Sequence, residues 1–397
     1  MQMPEEKQAV VFVRDEISEL ILLVATDKGA FLYYSDGDRR HWDVNGPHFL
    51  GSVIHHLVLD PRDNKSLLAS VHSRLSGSTV YRSKDFGKTW KPAAKPPEFP
   101  NDKLKRRVDH IFYLAPGHDS EEKVWYAGTS PQGLFRSEDC GDTWESVEGF
   151  NNNSMWKKWT ADSLEGYPKV SKLHSILIDP MEKEHMYLGM SYGGIFETTD
   201  QGKTWEPLNG GLKADYLKGT PEFGHDPHSV VFHPFKPERL YQQNHCGIYR
   251  IDRPKKKWVR IGDNMPADIG DVGFPIAVHP SDPNIIWVFP IDGNEAWSRV
   301  SPEGQPALYC SQDGGDTWFR QDIGLPMRNA WFTVLRRGLA TDFMNSAGVY
   351  FGTTSGSLWM SDNEGNSWRQ IAVHLPRILA VETGIILKKE EGSKHAN

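Results

Sequence analysis

The amino-acid sequence predicts an all-β fold, a seven-bladed β-propeller in which the two ends of the chain complete one blade together. A motif of the form S/T-x-D-x-G-x-S/T-W recurs along the 397 residues, and its copies are separated by short strand-like segments with almost no helical periodicity. Five copies occur, at 83–90, 137–144, 198–205, 311–318 and 361–368, the last with Asn363 in place of Asp. Radially stacked four-stranded sheets leave only short, protected edges, so a repeat of this length favours a propeller.

Each repeat unit contains four segments of strand composition, for example "SILIDP", "HMYLGMS", "GIFETTD" and "TWEPL". The motif lies between the third and fourth segments and predicts a tight hairpin. Its central glycine, Gly87 in the first copy, supplies a positive φ at no steric cost. Asp85 is expected to accept hydrogen bonds from turn amides, and Trp90 to fill the gap between neighbouring blades. The motif carboxylates are therefore predicted to be structural.

Blade counting rests on the starts of the innermost strands. Six complete units begin at His55, His110, His174, His228, Phe274 and Arg337. Two degraded motif copies, at 35–42 and 249–258, fill the gaps in the series. The N-terminal segment supplies only three strands, and "RILAVET" at 377–383 is predicted to supply the missing one. Residues 1–387 are expected to form one domain, with 388–397 as a charged, disordered tail. The alternative is a six-bladed ring in which one degraded copy is a loop.

The charge, hydropathy and cysteine content of the sequence argue against several classes of protein. The net charge of -7 and the absence of a long basic run argue against nucleic acid, since the one basic cluster, at 103–107, is short. No apolar stretch approaches the ~20 residues of a membrane span. Three cysteines without CxxC spacing predict no disulfide framework. The acidic start "MQMPEEKQ" does not resemble a secretory leader, so a cytoplasmic location is expected.

The motif series resembles the Asp-box (bacterial neuraminidase repeat, BNR) superfamily, over nearly the whole span from Ser35 to Trp368. That group includes sialidases and other glycosidases, sortilin-type receptors and photosystem-assembly propellers. The resemblance implies the propeller fold but not one function, because the same blades carry unrelated sites. The Arg-Ile-Pro motif of sialidases is missing near the N-terminus, which argues against sialidase activity.

Long loops are predicted at one mouth of the central channel. They enter the innermost strands at 149–172, 209–227 and 262–273, and 292–306 joins a second to a third strand at the same face. Loops longer than ~12–15 residues in a compact domain are usually lids or binding loops. Trp156 and Trp159 lie in the first of them and are predicted to line a substrate pocket.

Four histidines recur at equivalent positions, six residues before a proline that ends the innermost strand. They are His55, His110, His174 and His228, and His245 is expected near them at the same mouth. Imidazoles that converge from a ring suit a divalent transition metal such as Fe, Cu, Zn or Ni. The main hypothesis is therefore a metal-dependent enzyme or metal-binding propeller. The alternative is that each histidine is a structural part of the repeat.

The opposite arc of the mouth carries Phe274, Arg337 and Arg377, which are predicted to contact a small anionic or aromatic substrate. In the alternative hypothesis the protein is a glycoside hydrolase or lyase that uses carboxylates of the same face. The acid and base candidates are then Asp109, Asp226 and Asp271. A third hypothesis is a scaffold without enzymatic activity that binds another protein.

Overall fold

The computed structural model describes residues 17–100, 106–159, 171–216, 222–293 and 298–387. These residues form short antiparallel strands, and the prediction of an all-β fold is confirmed. The α-helices of this part of the chain have four residues each, α1 (Glu148–Asn151) and α2 (Trp156–Trp159). None of the helices found there is long and apolar enough to cross a membrane.

The strands are numbered in chain order, and neighbours in sequence pair as β-meanders. The N-terminal strands are β1 (Ile17–Thr26), β2 (Gly29–Ser35) and β3 (Asp43–His48). The next two sheets contain β4 (Val53–Leu59), β5 (Leu67–Ser73), β6 (Gly77–Ser83) and β7 (Lys91–Pro92), then β8 (His110–Pro116), β9 (Trp125–Ser130), β10 (Leu134–Ser137) and β11 (Glu145–Ser146). The following two contain β12 (Leu173–Ile178), β13 (Met186–Met190), β14 (Gly194–Thr198) and β15 (Glu206–Pro207), then β16 (Pro227–His233), β17 (Lys236–Asn244), β18 (Gly247–Asp252) and β19 (Val259–Arg260). The last strands are β20 (Gly273–Val278), β21 (Ile286–Pro290), β22 (Leu308–Ser311), β23 (Phe319–Gln321), β24 (Val334–Thr341), β25 (Val349–Thr353), β26 (Leu358–Ser361), β27 (Arg369–Ala372) and β28 (Ile378–Leu387).

The two ends of the described chain meet in one sheet. The last strand, β28, pairs antiparallel with β1, with Val381 opposite Val24. A single parallel pair, Arg337 opposite Ala380, also links β28 to β24. The first strand of each sheet contacts the first strand of the next, and the series closes from β28 back to β4. This is the ring of sheets expected of a β-propeller, and the innermost strands surround its axis.

The repeated motif forms the same hydrogen-bonded turn in each copy. In the second copy, Asp139 accepts hydrogen bonds from the backbone N–H of Asp142 (2.9 Å) and of Thr143 (2.8 Å), and from the Thr143 hydroxyl (2.6 Å). Gly141 has a φ of 82° and donates its N–H to the Ser137 hydroxyl. In the last copy, the Asn363 side-chain oxygen accepts from Ser367 N–H at 2.9 Å. The predicted role of the motif, to close a turn, is therefore confirmed.

The motif tryptophans pack between adjacent sheets. Trp144 is buried, with 1% of its surface exposed, in a cluster with Leu68 and Val80 of the preceding sheet and with Phe135 of its own. Trp205 occupies the equivalent place one sheet further on. Burial of these large apolar side chains holds successive sheets together.

Some predicted features lie outside the described residues. They are the segment 1–16, the tail 388–397, most of the basic cluster 103–107, and the parts 160–170, 217–221 and 294–297 of the long loops. The organisation of residues 1–387 as one domain stays a prediction.

Candidate functional site at the channel mouth

Two adjoining cavities lie at the ends of the innermost strands, on the face opposite the motif turns. The smaller, about 270 Å³, is here called the acid–histidine pocket. Its polar lining consists of Tyr192, Asp226, His228, His245, Asp292, Ser298, Arg299 and Arg336. The larger, about 640 Å³, is called the basic chamber. Its charged and titratable lining consists of His55, His110, Lys172, Arg299, Arg336, Arg337 and Arg377. Phe274, Arg299 and Arg336 border both cavities.

Asp226 is the carboxylate at the centre of the acid–histidine pocket. It immediately precedes β16, which begins at Pro227 and places His228 one residue further along. Asp226 Oδ2 lies 3.4 Å from His228 Nε2 and 3.9 Å from His245 Nδ1. Asp226 Oδ1 is buried and has no hydrogen-bond partner in the described part of the chain. Burial alone raises the pKa of Asp226, but the hydrogen bond to His228 and the charge of Arg336 outweigh it, so the net shift is downward.

The orientation of the His228 ring is set by the neighbouring sheet. His228 Nδ1 lies 2.6 Å from the carbonyl oxygen of Gly273, which only accepts hydrogen bonds, so Nδ1 carries a proton. Burial and the nearby Arg336 guanidinium lower the pKa of His228, which favours the neutral ring. The other ring nitrogen, Nε2, points towards the Asp226 carboxylate.

His55 and His110 lie in the basic chamber and not in this pocket. Their rings stack on each other with centroids 4.1 Å apart. His110 Nδ1 also contacts the Asp109 carboxylate at 2.8 Å. Burial, with His110 and Lys172 nearby, lowers the pKa of His55 to about 2, so its ring is neutral.

His174 is buried in the packing between sheets. Its Nδ1 contacts the Ser175 hydroxyl at 3.0 Å, and that hydroxyl also accepts the backbone N–H of Val230 on the next sheet. Burial lowers the pKa of His174 well below its usual range.

The predicted four-histidine centre is therefore not formed. Among the residues that the structure describes, the group with three metal-ligating side chains close together is Asp226, His228 and His245, whose ligand atoms lie within 4.8 Å of one another. The physical reason is that equivalent positions on the innermost strands have different surroundings. His174 turns into the sheet interface and His55 stacks on His110.

The predicted acid and base residues are separated by the structure. Asp226 faces the pocket, whereas Asp109 is exposed beside His110 and lines neither cavity. Asp271 accepts two hydrogen bonds from Arg260, both 2.9 Å, and its role is a structural ion pair. Sequence reasoning missed Asp292, which lines the pocket with Asp226. Its position after the buried strand β21 and inside a long loop was the available signal.

The predicted substrate-binding residues also divide. Phe274 borders both cavities, with its ring centroid 4.8 Å from that of His228. Arg337 donates to Glu382 at 2.6 Å, while Arg377 is exposed at the chamber. The prediction that Trp159 lines a substrate pocket is wrong. Its side chain is 2% exposed and packs in the core against Phe196. Trp156 stacks with Arg106 and lines neither cavity.

Lys172 and Arg336 border the basic chamber and were not singled out from the sequence. Arg336 lies over the Phe274 ring at 5.3 Å, and Lys172 over the Phe112 ring at 4.9 Å. Burial and the neighbouring Arg336 lower the pKa of Lys172 to about 8. Arg336 was overlooked because it directly precedes Arg337 on β24, where an irregular register lets both side chains border the chamber.

The fold and its repeated turns define an Asp-box β-propeller. A BNR-Asp box repeat matches residues 80–92. Along more of the chain the similarity is to xyloglucanases. The chain is 25% identical over 296 residues to the oligoxyloglucan-reducing end-specific xyloglucanase of Emericella nidulans, which covers 66% of this chain and 33% of that protein. It is 24% identical over 319 residues to a xyloglucanase of Paenibacillus sp., covering 74% of this chain and 28% of the other.

Solved structures agree on the fold. The GH74 xyloglucanase of Xanthomonas campestris superposes with a TM-score of 0.63 at 19% identity, over 94% of this chain and 53% of that one. YCF48 bound to a D1 peptide superposes with a TM-score of 0.50 at 14% identity, over 81% and 82% of the two chains. Structural similarity at such low sequence identity shows only that the fold is shared. The chain spans only about a third of the first curated relative, 33%.

Proposed function

We propose that this chain is a glycoside hydrolase with seven blades that cleaves a glycan chain at the channel mouth. The observation that carries the proposal is the acid–histidine pocket, where two carboxyl side chains, Asp226 and Asp292, border one cavity. Glycosidases of both stereochemical classes use such a pair, one group as acid and the other as base or nucleophile. The similarity to xyloglucanases supports this choice over a small-molecule enzyme. The closed series of first strands, β4 to β28, supports seven blades over six.

The surroundings of Asp226 suit the base or nucleophile. Its pKa is shifted downward, so it stays ionised at neutral pH, and its side chain borders the cavity in which the sugar would bind. Asp292 is assigned as the proton donor to the leaving sugar. Phe274, at the border of both cavities, offers an aromatic face to a sugar ring.

The basic chamber favours a glycan with acidic units. Its lining has no carboxylate and includes the cationic side chains of Lys172, Arg299, Arg336 and Arg377, together with Arg337, which is paired with Glu382. This contrasts with the net charge of -7 of the whole chain. Guanidinium groups bind carboxylate, sulfate and phosphate oxygens in paired hydrogen bonds. A charged sugar unit in the chamber would place the adjoining linkage at the pocket, because the cavities share Arg336 and Phe274.

The test is a measurement of new reducing ends from xyloglucan, from a neutral β-glucan and from a uronic-acid polysaccharide. We expect cleavage of at least one glycan, with the acidic one preferred. The Asp292→Asn variant should lose about a hundredfold or more in rate, the usual contribution of a general acid. Asp316→Asn, which removes a charge from an exposed turn on the opposite face, is the matched control. Failure of the wild-type protein to cleave or bind any glycan overturns the proposal.

The cytoplasmic location stays a prediction.

A further inference from the structure

The acid–histidine pocket contains a close contact between an imidazole nitrogen and a carboxylate oxygen. His228 Nδ1 donates a hydrogen bond to the Gly273 carbonyl oxygen at 2.6 Å. The other ring nitrogen, Nε2, faces Asp226 Oδ2 at 3.4 Å. Both groups are buried, with 3% of each residue exposed, so bulk water does not screen the contact. A cation between the two atoms, either a proton or a metal ion, makes this arrangement favourable.

A third ligand atom converges on the same point. His245 follows β17 and brings Nδ1 to 3.9 Å from Asp226 Oδ2, with its ring nearly perpendicular to that of His228. Tyr216, whose hydroxyl donates to the Gly224 carbonyl, packs edge-on against the His245 ring. Two imidazoles and one carboxylate form the donor set of zinc sites and of many iron sites.

The spacing requires only a small adjustment. The three ligand atoms lie within 4.8 Å of one another, and a metal about 2.1 Å from each ligand spans at most about 4.2 Å between them. The His245 side chain is 39% exposed and can rotate to close the remainder, while His228 is held by Gly273. The hydrogen bond from Nδ1 to a carbonyl oxygen is the usual support of a ligating imidazole, since it fixes the tautomer.

We propose that Asp226, His228 and His245 bind one divalent transition-metal ion of the zinc or iron type. The ion would bind Asp226 through Oδ2, the oxygen that approaches both histidines. The Arg336 guanidinium opposes a cation here, and the charge of the Asp226 carboxylate offsets it. The site does not depend on the proposed glycan hydrolysis, because metal binding is measured without substrate.

The experiment measures metal content by mass spectrometry in untagged protein, as purified and after removal of metal and reloading with Zn²⁺, Fe²⁺ or Co²⁺. We expect one ion per chain and, with Co²⁺, visible absorption bands of imidazole coordination. His228→Gln and His245→Gln should each weaken affinity about tenfold or more. The matched control is His110→Gln, a histidine of the basic chamber, which should keep the ion. Asp226→Asn, which preserves side-chain shape, provides a variant that is expected to fold.

The outcomes separate this inference from the proposed function. No stoichiometric ion in wild-type protein under any loading condition overturns the inference and assigns the contact between His228 and Asp226 to a proton. Equal loss of the ion in His110→Gln overturns the assignment of ligands. Glycan cleavage by metal-free protein leaves the proposed function intact, whereas ion binding without cleavage of any glycan removes the proposed function and leaves the metal site.

Discussion

The carboxylates of the motif turns and the carboxylate of Asp226 lie at opposite ends of the same set of sheets, and their surroundings differ completely. In the turn, both oxygens of Asp139 accept hydrogen bonds from residues within four positions in the sequence. At the mouth, one oxygen of Asp226 faces two histidines and the other has no described partner. A carboxylate whose hydrogen bonds are all local stabilises a turn, whereas one left unsatisfied in a cavity is available for chemistry.

The last motif copy shows that the turn needs an acceptor and not a charge. Asn363 accepts the Ser361 hydroxyl and the Ser367 N–H through its oxygen, and donates its amide to the Ser367 hydroxyl. The same change at Asp226 would remove the charge that interacts with His228, His245 and Arg336. The two regions are therefore expected to respond differently to one substitution.

The largest effect is expected from Asp226→Asn, measured against Asp139→Asn. At the mouth the substitution should lower glycan cleavage by about 10²–10⁴-fold, because the base or nucleophile is lost. In the turn it should leave the rate unchanged and lower the free energy of unfolding by about 1 kcal/mol. Initial rates and urea unfolding of both variants measure the contrast. Equal rate losses would contradict the division between turn and mouth.

Truncation of a motif tryptophan is expected to have the next largest effect, and it should lower stability and not the rate of cleavage. Trp144→Ala should lower the free energy of unfolding by about 3–5 kcal/mol, since the indole is 1% exposed and donates to the Gly141 carbonyl. Trp90 is only partly buried at its own sheet boundary, so Trp90→Ala should cost less. Urea unfolding of the two variants compares them. A larger loss for Trp90→Ala would show that burial does not rank the copies.

The basic chamber is tested by neutralising its cations. Arg336→Gln and Lys172→Gln should each raise KM for an acidic glycan about tenfold, with little change for a neutral one. Neither side chain forms an ion pair with Asp226, whose described ion pairs are with His228 and His245. Arg40→Gln and Lys84→Gln remove exposed charges near the motif turns and serve as controls. A similar rise in KM for both glycans would indicate general damage to the mouth.

The smallest effect is expected from a charged cluster on the sheet that contains β12, β13 and β14. His185 contacts Asp179 and Glu197, both at 3.0 Å, and hydrogen bonds to these carboxylates raise the pKa of His185 to about 9. A raised pKa means that this stabilisation is complete below the unfolded value of about 6.5 and is lost as pH rises through about 9. Stability of the wild type should therefore fall more steeply than that of His185→Gln between pH 7 and 10, in unfolding curves across that range. Parallel curves would assign no linked proton to His185.

Neighbouring residues show the limit of sequence reasoning at the mouth. In "HHLVLD" the sequence pattern selected His55 as a metal ligand. The neighbouring histidine, His56, is the one that forms hydrogen bonds between sheets. His56 Nδ1 accepts the Leu114 N–H from the following sheet, and Nε2 donates to Glu382 on β28 at 3.0 Å. Glu382 also accepts from Arg337, one of the predicted substrate contacts. Residues some 300 positions apart meet in this network, and a short sequence motif cannot predict such a contact.

The sequence by itself determined the repeated turns, the strand order and the return of the last strand to the first sheet. These depend on interactions within a few residues, such as the hydrogen bonds of Asp139, and on a burial pattern with a period of two. Only the tertiary structure decided which mouth residues share a cavity. That choice depends on how far each innermost strand is rotated about the axis, and the rotation arises from packing between whole sheets. It separated His174 from His228 and brought Asp226 together with His245 and Asp292.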